Sequence, residues 1–130
     1  MAKTKFTKWE DYFKFKGLDP KNLPDVSMVL PESRKRIIAN YILEIIIGVE
    51  NDSKEGDIFP DYTDRNQRKY EPWLEVIANE KNPTGVGLAY VGCVHWYANT
   101  AVGVRLVTRN PETCKAVFEQ FKSLYEDLYL

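Results

Sequence analysis

The thirteen residues from Ile37 to Val49 restrict the fold more than any other stretch, because ten of them are apolar or aromatic and they occur on nearly every side of a helix. Only Arg36, Asn40, Glu44 and Gly48, spaced four apart, leave one polar or small stripe. Such a segment must be wrapped, by other elements of the chain or by another subunit. It is too short to span a bilayer and carries Asn40 and Glu44 at its middle, so it reads as a buried core helix. A buried strand over Ile42 to Val49 is the alternative, since isoleucine is a modest helix former, but burial outweighs propensity. Pro31 suits the first turn of this helix, with its fixed φ and missing N–H.

What wraps the segment must come from a chain of 130 residues, the size of one domain, which buries roughly two thirds of its unfolded surface without staples. A formal charge of −1 argues against duplex nucleic acid as the main partner, because neutralising phosphates needs an excess of Lys and Arg. The charge alternates by segment: residues 1–36 carry a net +4, residues 37–64 a net −6, and residues 65–109 are basic again. Cys93 and Cys114 are too few for a disulfide framework, and no charged-then-apolar leader opens the chain. The expectation is a cytoplasmic protein with reduced thiols and no membrane segment.

Thr7 with Glu10 forms a capping-box pattern ahead of Trp9, Tyr12 and Phe13, and Gly17 supplies a stop, which predicts a short aromatic-faced helix. Asp19-Pro20 and Leu23-Pro24 break the following stretch, so residues 1–30 read as a helix and an irregular arm. Residues 50–69 form a polar, acidic loop of about twenty residues without periodicity, long enough to be a binding or lid segment. Pro72 to Ala78 reads as a strand, Asn82 to Gly85 as a turn, and Val86 to Ala98, free of formal charge, as a central strand. Val102 to Arg109 alternates as a third strand. Asn110-Pro111-Glu112 starts a helix whose Val117, Phe121, Leu124 and Leu128 share one face. The predicted fold is one α+β domain: a small antiparallel meander of about three strands on the long buried helix and a C-terminal amphipathic helix. Two nearly all-round apolar segments exceed what that architecture covers, which predicts a homo-oligomer.

The chemistry-bearing residues are sparse. His95 is the only histidine, and no Ser lies in a nucleophile-elbow setting, so no catalytic residue is assigned. Cys93 and His95 lie two apart on one strand face, but zinc needs three or four such ligands, so no metal is expected there. Asp52, Glu55, Asp57, Asp61 and Asp64 crowd the long loop without the spacing of an EF-hand, and a solvated acidic loop is the plainer reading. Gly85-Val86-Gly87 is a turn entering a strand rather than a phosphate loop.

The hairpin between the second and third strands is more informative. A two-residue loop, Asn99-Thr100, sets Arg105 opposite Val94, on the face of Tyr90 and Trp96; a three-residue loop sets it opposite His95, beside Tyr97. Either way a ring lies within reach of the guanidinium, and Arg109 follows four residues on. A cation beside a ring covers apolar surface, or it forms a site in which the ring stacks on a base and the guanidinium holds a phosphate. Trp73 and Tyr70 extend such a platform, as does the basic run Arg65, Arg68 and Lys69.

The stretch Asn66-Gln67-Arg68-Lys69-Tyr70-Glu71-Pro72-Trp73, the strand Ala101-Val102-Gly103-Val104-Arg105-Leu106 and the helix from Phe118 to Tyr125 resemble a family of small proteins from phages and prophages of gut Bacteroidota. The resemblance spans roughly the last two thirds of the chain, and Glu71 stands where that pattern carries an aromatic. It implies an accessory phage protein made inside a bacterial host, with no catalytic residue to carry over. The resulting expectation is a non-enzymatic protein without a cofactor that binds a small anionic ligand, such as a nucleotide immune signal, or a host defence protein. Its ligand-binding residues would be Arg105, Arg109, Trp96, Tyr97, Trp73, His95 and Tyr90, with the acidic loop as a lid. The alternatives are an assembly module of the phage particle, with those rings at subunit contacts, and a metal-dependent nuclease using Asp57, Asp61 and Asp64.

Overall fold

The computed structural model describes residues 3–52, 57–96 and 105–130. The elements in chain order are α1 (Trp9–Phe15), α2 (Pro31–Asn51), β1 (Lys69–Ala78), β2 (Val86–Trp96), α3 (Pro111–Gln120) and α4 (Lys122–Tyr129). Class and helical core match the sequence: the fold is α+β, built on the long apolar helix.

The Ile37–Val49 run is helical, and Pro31 stands at its first position. Ala39, Ile42, Leu43, Ile46, Ile47 and Val49 are buried against Tyr12 and Phe13 of α1 and Phe121, Leu124 and Tyr125 of the C-terminal helices. Each such aliphatic or aromatic burial contributes roughly 1.5–3 kcal/mol. Arg36 and Glu44 stay exposed and Asn40 half-buried, so the polar stripe faces outward as its spacing requires.

Helix ends follow local chemistry, with one correction. Gly17, at φ 74, closes α1 in a left-handed turn. Leu18 N–H donates to Phe13 C=O at 2.8 Å and Gly17 N–H to Lys14 C=O at 3.0 Å, the paired bonds of a glycine-terminated helix. The expected Thr7 capping box is absent: α1 starts at Trp9 behind Lys8, with no side-chain cap. The Thr7 carbonyl instead accepts from Gln120 Nε2 at 3.1 Å, tying the arm to α3. Asn110 caps α3 as expected, its side chain accepting from Thr113 N–H at 2.8 Å. The single C-terminal helix is in fact two, broken at Phe121 (φ −121, ψ 35). The Phe121 ring is buried edge-on against Tyr12 at 5.7 Å, and seating it there sets α4 along α2.

The sheet departs from the predicted meander. β1 begins at Lys69, three residues before the expected Pro72, and pairs with β2 from Lys69↔Trp96 to Ala78↔Val86, with a bulge between Trp73 and Leu74. Among the described residues there is no third strand; residues 105–109 make one bridge, Thr108 to Tyr70. That bridge lies on β1, not β2: Tyr70 and Thr108 exchange N–H···O=C bonds at 3.0 and 2.8 Å. Val94 and His95 therefore face Glu71 and Tyr70, and neither predicted register for Arg105 occurs. The Asn99-Thr100 turn lies outside the described residues. Residues 102–104 of the expected third strand lie outside the described residues, and beyond the Thr108 bridge the edge of β1 is interrupted at Pro72. Tyr70 points its hydrogen-bonding groups at Thr108, so alternation turns the nitrogen of Pro72 to the same edge, where it has no N–H to continue the ladder.

Glu126 of α4 reaches the far edge of β2, its Oε2 accepting from Leu88 N–H at 3.0 Å. A Cβ built on Gly87 would lie 2.6 Å from that oxygen and 3.2 Å from Asn79 Nδ2. Gly87→Ala therefore displaces the carboxylate and removes the bond from a part-buried N–H. The expected loss is about 1–2 kcal/mol in urea unfolding, and an unchanged midpoint would contradict the contact.

Candidate functional site

The C-terminal turn of α2 is where the basic third segment meets the acidic loop. Asn51 Nδ2 donates to Val107 C=O at 2.8 Å, and Arg109 Nε donates to Asn51 C=O at 2.8 Å. Lys5 Nζ bonds Val49 C=O at 2.8 Å, so cations cap the last carbonyls of the helix, where the dipole favours them. Arg109 also pairs with Asp57 at 2.7 Å and lies over the Phe59 ring, 4.7 Å from its centroid. Arg105 lies over Tyr62 at 5.2 Å, and the fully buried Lys69 approaches the same ring at 5.4 Å. The stacking partners of the arginines are thus rings of the polar loop.

The loop is held by its own polar groups. Gln67 bridges it, its Oε1 accepting from Asp61 N–H at 2.6 Å and its Nε2 donating to Ile58 C=O at 3.0 Å. Asp61 accepts from Thr63 Oγ1 and N–H, bonds that lower its carboxyl below the ordinary range, and Asp64 accepts from Asn66 N–H at 2.9 Å. Among the described residues no group of three His, Cys, Asp or Glu is arranged to hold a metal.

Between this loop and α2 lies a cavity of about 390 Å³ lined by Glu44, Ile47, Gly48, Asn51, Phe59, Pro60, Tyr62 and Arg105. Three observations single it out. Gly48 sits inside α2, where glycine costs roughly 0.5–1 kcal/mol against alanine, yet a Cβ there would meet nothing within 4 Å. No packing contact explains that glycine, which is exposed on the wall of the cavity. Second, Asn51 Oδ1 and Tyr62 Oη are buried without a partner, and both residues line the cavity. Native folds rarely leave such atoms unpaired, at roughly 1–3 kcal/mol each. Third, Arg105 is exposed, and among the described residues no carboxylate lies within ion-pair distance of it. Gly48→Ala is expected to raise stability by about 0.5–1 kcal/mol in urea unfolding; destabilisation would mean that the glycine is needed for packing.

Among the described residues, the other expected ligand residues are dispersed. Tyr90 packs on the core side, its ring 6.1 Å from Phe118 and under Lys115 at 5.6 Å, and burial followed by the nearby Cys93 pushes its phenol up to about 12. His95 is exposed, with its ring 6.0 Å from Tyr70. Trp73 is 60% exposed on β1, paired across the sheet with Gly92. Trp96 pairs with Lys69 through the backbone, and Tyr97 lies outside the described residues. Among the described residues, Arg105 and Arg109 both meet rings of the polar loop, Tyr62 and Phe59 respectively, and Arg109 is engaged by Asp57 and the helix end. Sequence reasoning missed Asn51, Phe59, Tyr62 and Gly48 as one cluster. The available signals were the two aromatics of an otherwise polar loop and the glycine in the α2 stripe.

Compared with known proteins, the chain matches no protein-family model, no curated protein and no solved structure. The functional reading therefore rests on the site. No helix among the described residues is long and apolar enough to cross a membrane.

Proposed function

We propose that the protein is a non-enzymatic binding module that holds a small anionic ligand, of nucleotide type, in the cavity beside the C-terminal turns of α2. The observation that carries this reading is Gly48: a destabilising residue in a helix interior, facing open space, with an exposed arginine on the rim of the same cavity. Arg105 would hold the anionic group, and the walls of Phe59, Pro60 and Tyr62 would receive a flat apolar ring. In a phage accessory protein this activity would sequester a nucleotide signal of the host. The test is a thermal-shift panel of cyclic and linear nucleotides, because a ligand of the folded state raises Tm by mass action. A saturable rise in the wild type that disappears in Arg105→Ala is expected; no rise with any nucleotide would overturn the proposal.

A second reading, an assembly module or homo-oligomer, is favoured by a different observation. Trp73 and Val91 are 60% and 49% exposed beside the sheet bulge, an arrangement suited to a protein contact. A stable oligomer by light scattering that Trp73→Ser dissolves would support it, and a monomer would not.

A further inference from the structure

We infer that the nucleotide taken by this cavity carries guanine, its N1–H and N2 amine directed at the Glu44 carboxylate and its phosphate at Arg105. The inference rests on the nucleotide reading above and deepens it. The hydrogen-bonding groups along α2 are mainly acceptors. Glu44 contributes a carboxylate and Asn51 a buried and unpartnered Oδ1, while the Val49 and Asn51 carbonyls at the helix end are already taken by Lys5 and Arg109. A phosphate is disfavoured beside the Glu44 carboxylate, which leaves the Arg105 rim for the anion. The group placed along α2 must instead donate. Guanine presents two adjacent donors to a carboxylate, N1–H and the N2 amine. Adenine presents one amine beside an acceptor nitrogen, which would face the lone pairs of Glu44.

The stripe on α2 supports the same assignment. Asn40 Nδ2 donates to Glu44 Oε1 at 3.1 Å from one turn back and holds the carboxylate in place. A carboxylate oxygen accepts two bonds, so Oε1 keeps capacity for a base donor. Gly48 follows one turn, about 6 Å, further on, and leaves space beside that carboxylate. Asn40 is a positioning residue, Glu44 the reader of the base edge, and Gly48 part of the wall.

Calorimetric titration of the full chain with GMP, IMP and AMP tests this. GMP is expected to bind tightest. IMP, which keeps N1–H but lacks the N2 amine, should bind about tenfold more weakly, the effect of one hydrogen bond to a charged group. AMP should bind more weakly than IMP. Glu44 is exposed on the helix, so Glu44→Gln should fold normally by circular dichroism, lose at least about tenfold in GMP affinity and keep its AMP affinity. Equal binding of GMP and AMP, or an unchanged preference in Glu44→Gln, overturns the guanine assignment alone. Absence of binding by all three nucleotides overturns the nucleotide reading together with it.

Discussion

Arg109→Ala is expected to lower the unfolding free energy by about 3 kcal/mol, the largest loss for any single charged residue outside the core. Its guanidinium contacts include the Asn51 carbonyl at the end of α2, Asp57 in the loop, and the face of Phe59. The carbonyl bond is the strongest, at roughly 1.5–3 kcal/mol for a charged donor, and the ring contact adds roughly 0.5–2. The ion pair adds little, because Asp57 is 43% exposed and water screens it. These terms share one side chain and do not simply add. Thermal unfolding should show a Tm lower by roughly 10 °C, with Arg109→Lys recovering less than half, since one ammonium cannot bond, pair and stack together. A loss below about 1 kcal/mol would mean that the loop is anchored elsewhere.

The second large effect is alkaline lability. Burial pushes the Cys114 thiol up to about 12, from an ordinary 9.0. Tyr12 is raised by burial and by its bond to Glu50, and Tyr125 by burial and by the neighbouring Cys114. In each case the folded chain keeps a proton that the unfolded chain releases. Stability is therefore complete below the unfolded values, near 9 for the thiol and 10 for the phenols, and falls as pH rises toward the folded ones. Each group contributes a slope of about 1.4 kcal/mol per pH unit, so between pH 9 and 11 the fold is expected to lose several kcal/mol. Urea midpoints across that range measure it. Cys114→Ala should flatten the onset near pH 9, and a midpoint independent of pH would show that these groups are open to water.

The parts of the fold legible in sequence were those where one local rule dominates. The apolar run of α2, the Gly17 stop and the Asn110-Pro111 start each follow from composition or backbone chemistry within a few residues. The break at Phe121 was not legible, because neither glycine nor proline marks it; a ring seated against Tyr12 causes it. Residues 105–109 add one bridge rather than a ladder to β1, because Pro72 turns its nitrogen to the edge where Tyr70 bonds Thr108, and local sequence does not say which edge that is. The site was less legible. Rings of the hairpin were expected beside Arg105, whereas the rings beside Arg105 and Arg109 are Tyr62 and Phe59, residues in a loop without periodicity. The charge alternation carried a clue, since the acidic 37–64 segment and the basic 65–109 segment meet at Asp57 and Arg109.

The central claim is that the space above Gly48 is a ligand site. Gly48→Leu puts a side chain into that space without a clash at its Cβ and replaces glycine by a better helix former. Calorimetric titration of this variant beside the wild type is the most direct test. The expected result is a folded variant at least as stable as the wild type that no longer takes up the nucleotide the wild type binds. Undiminished affinity in Gly48→Leu would contradict it.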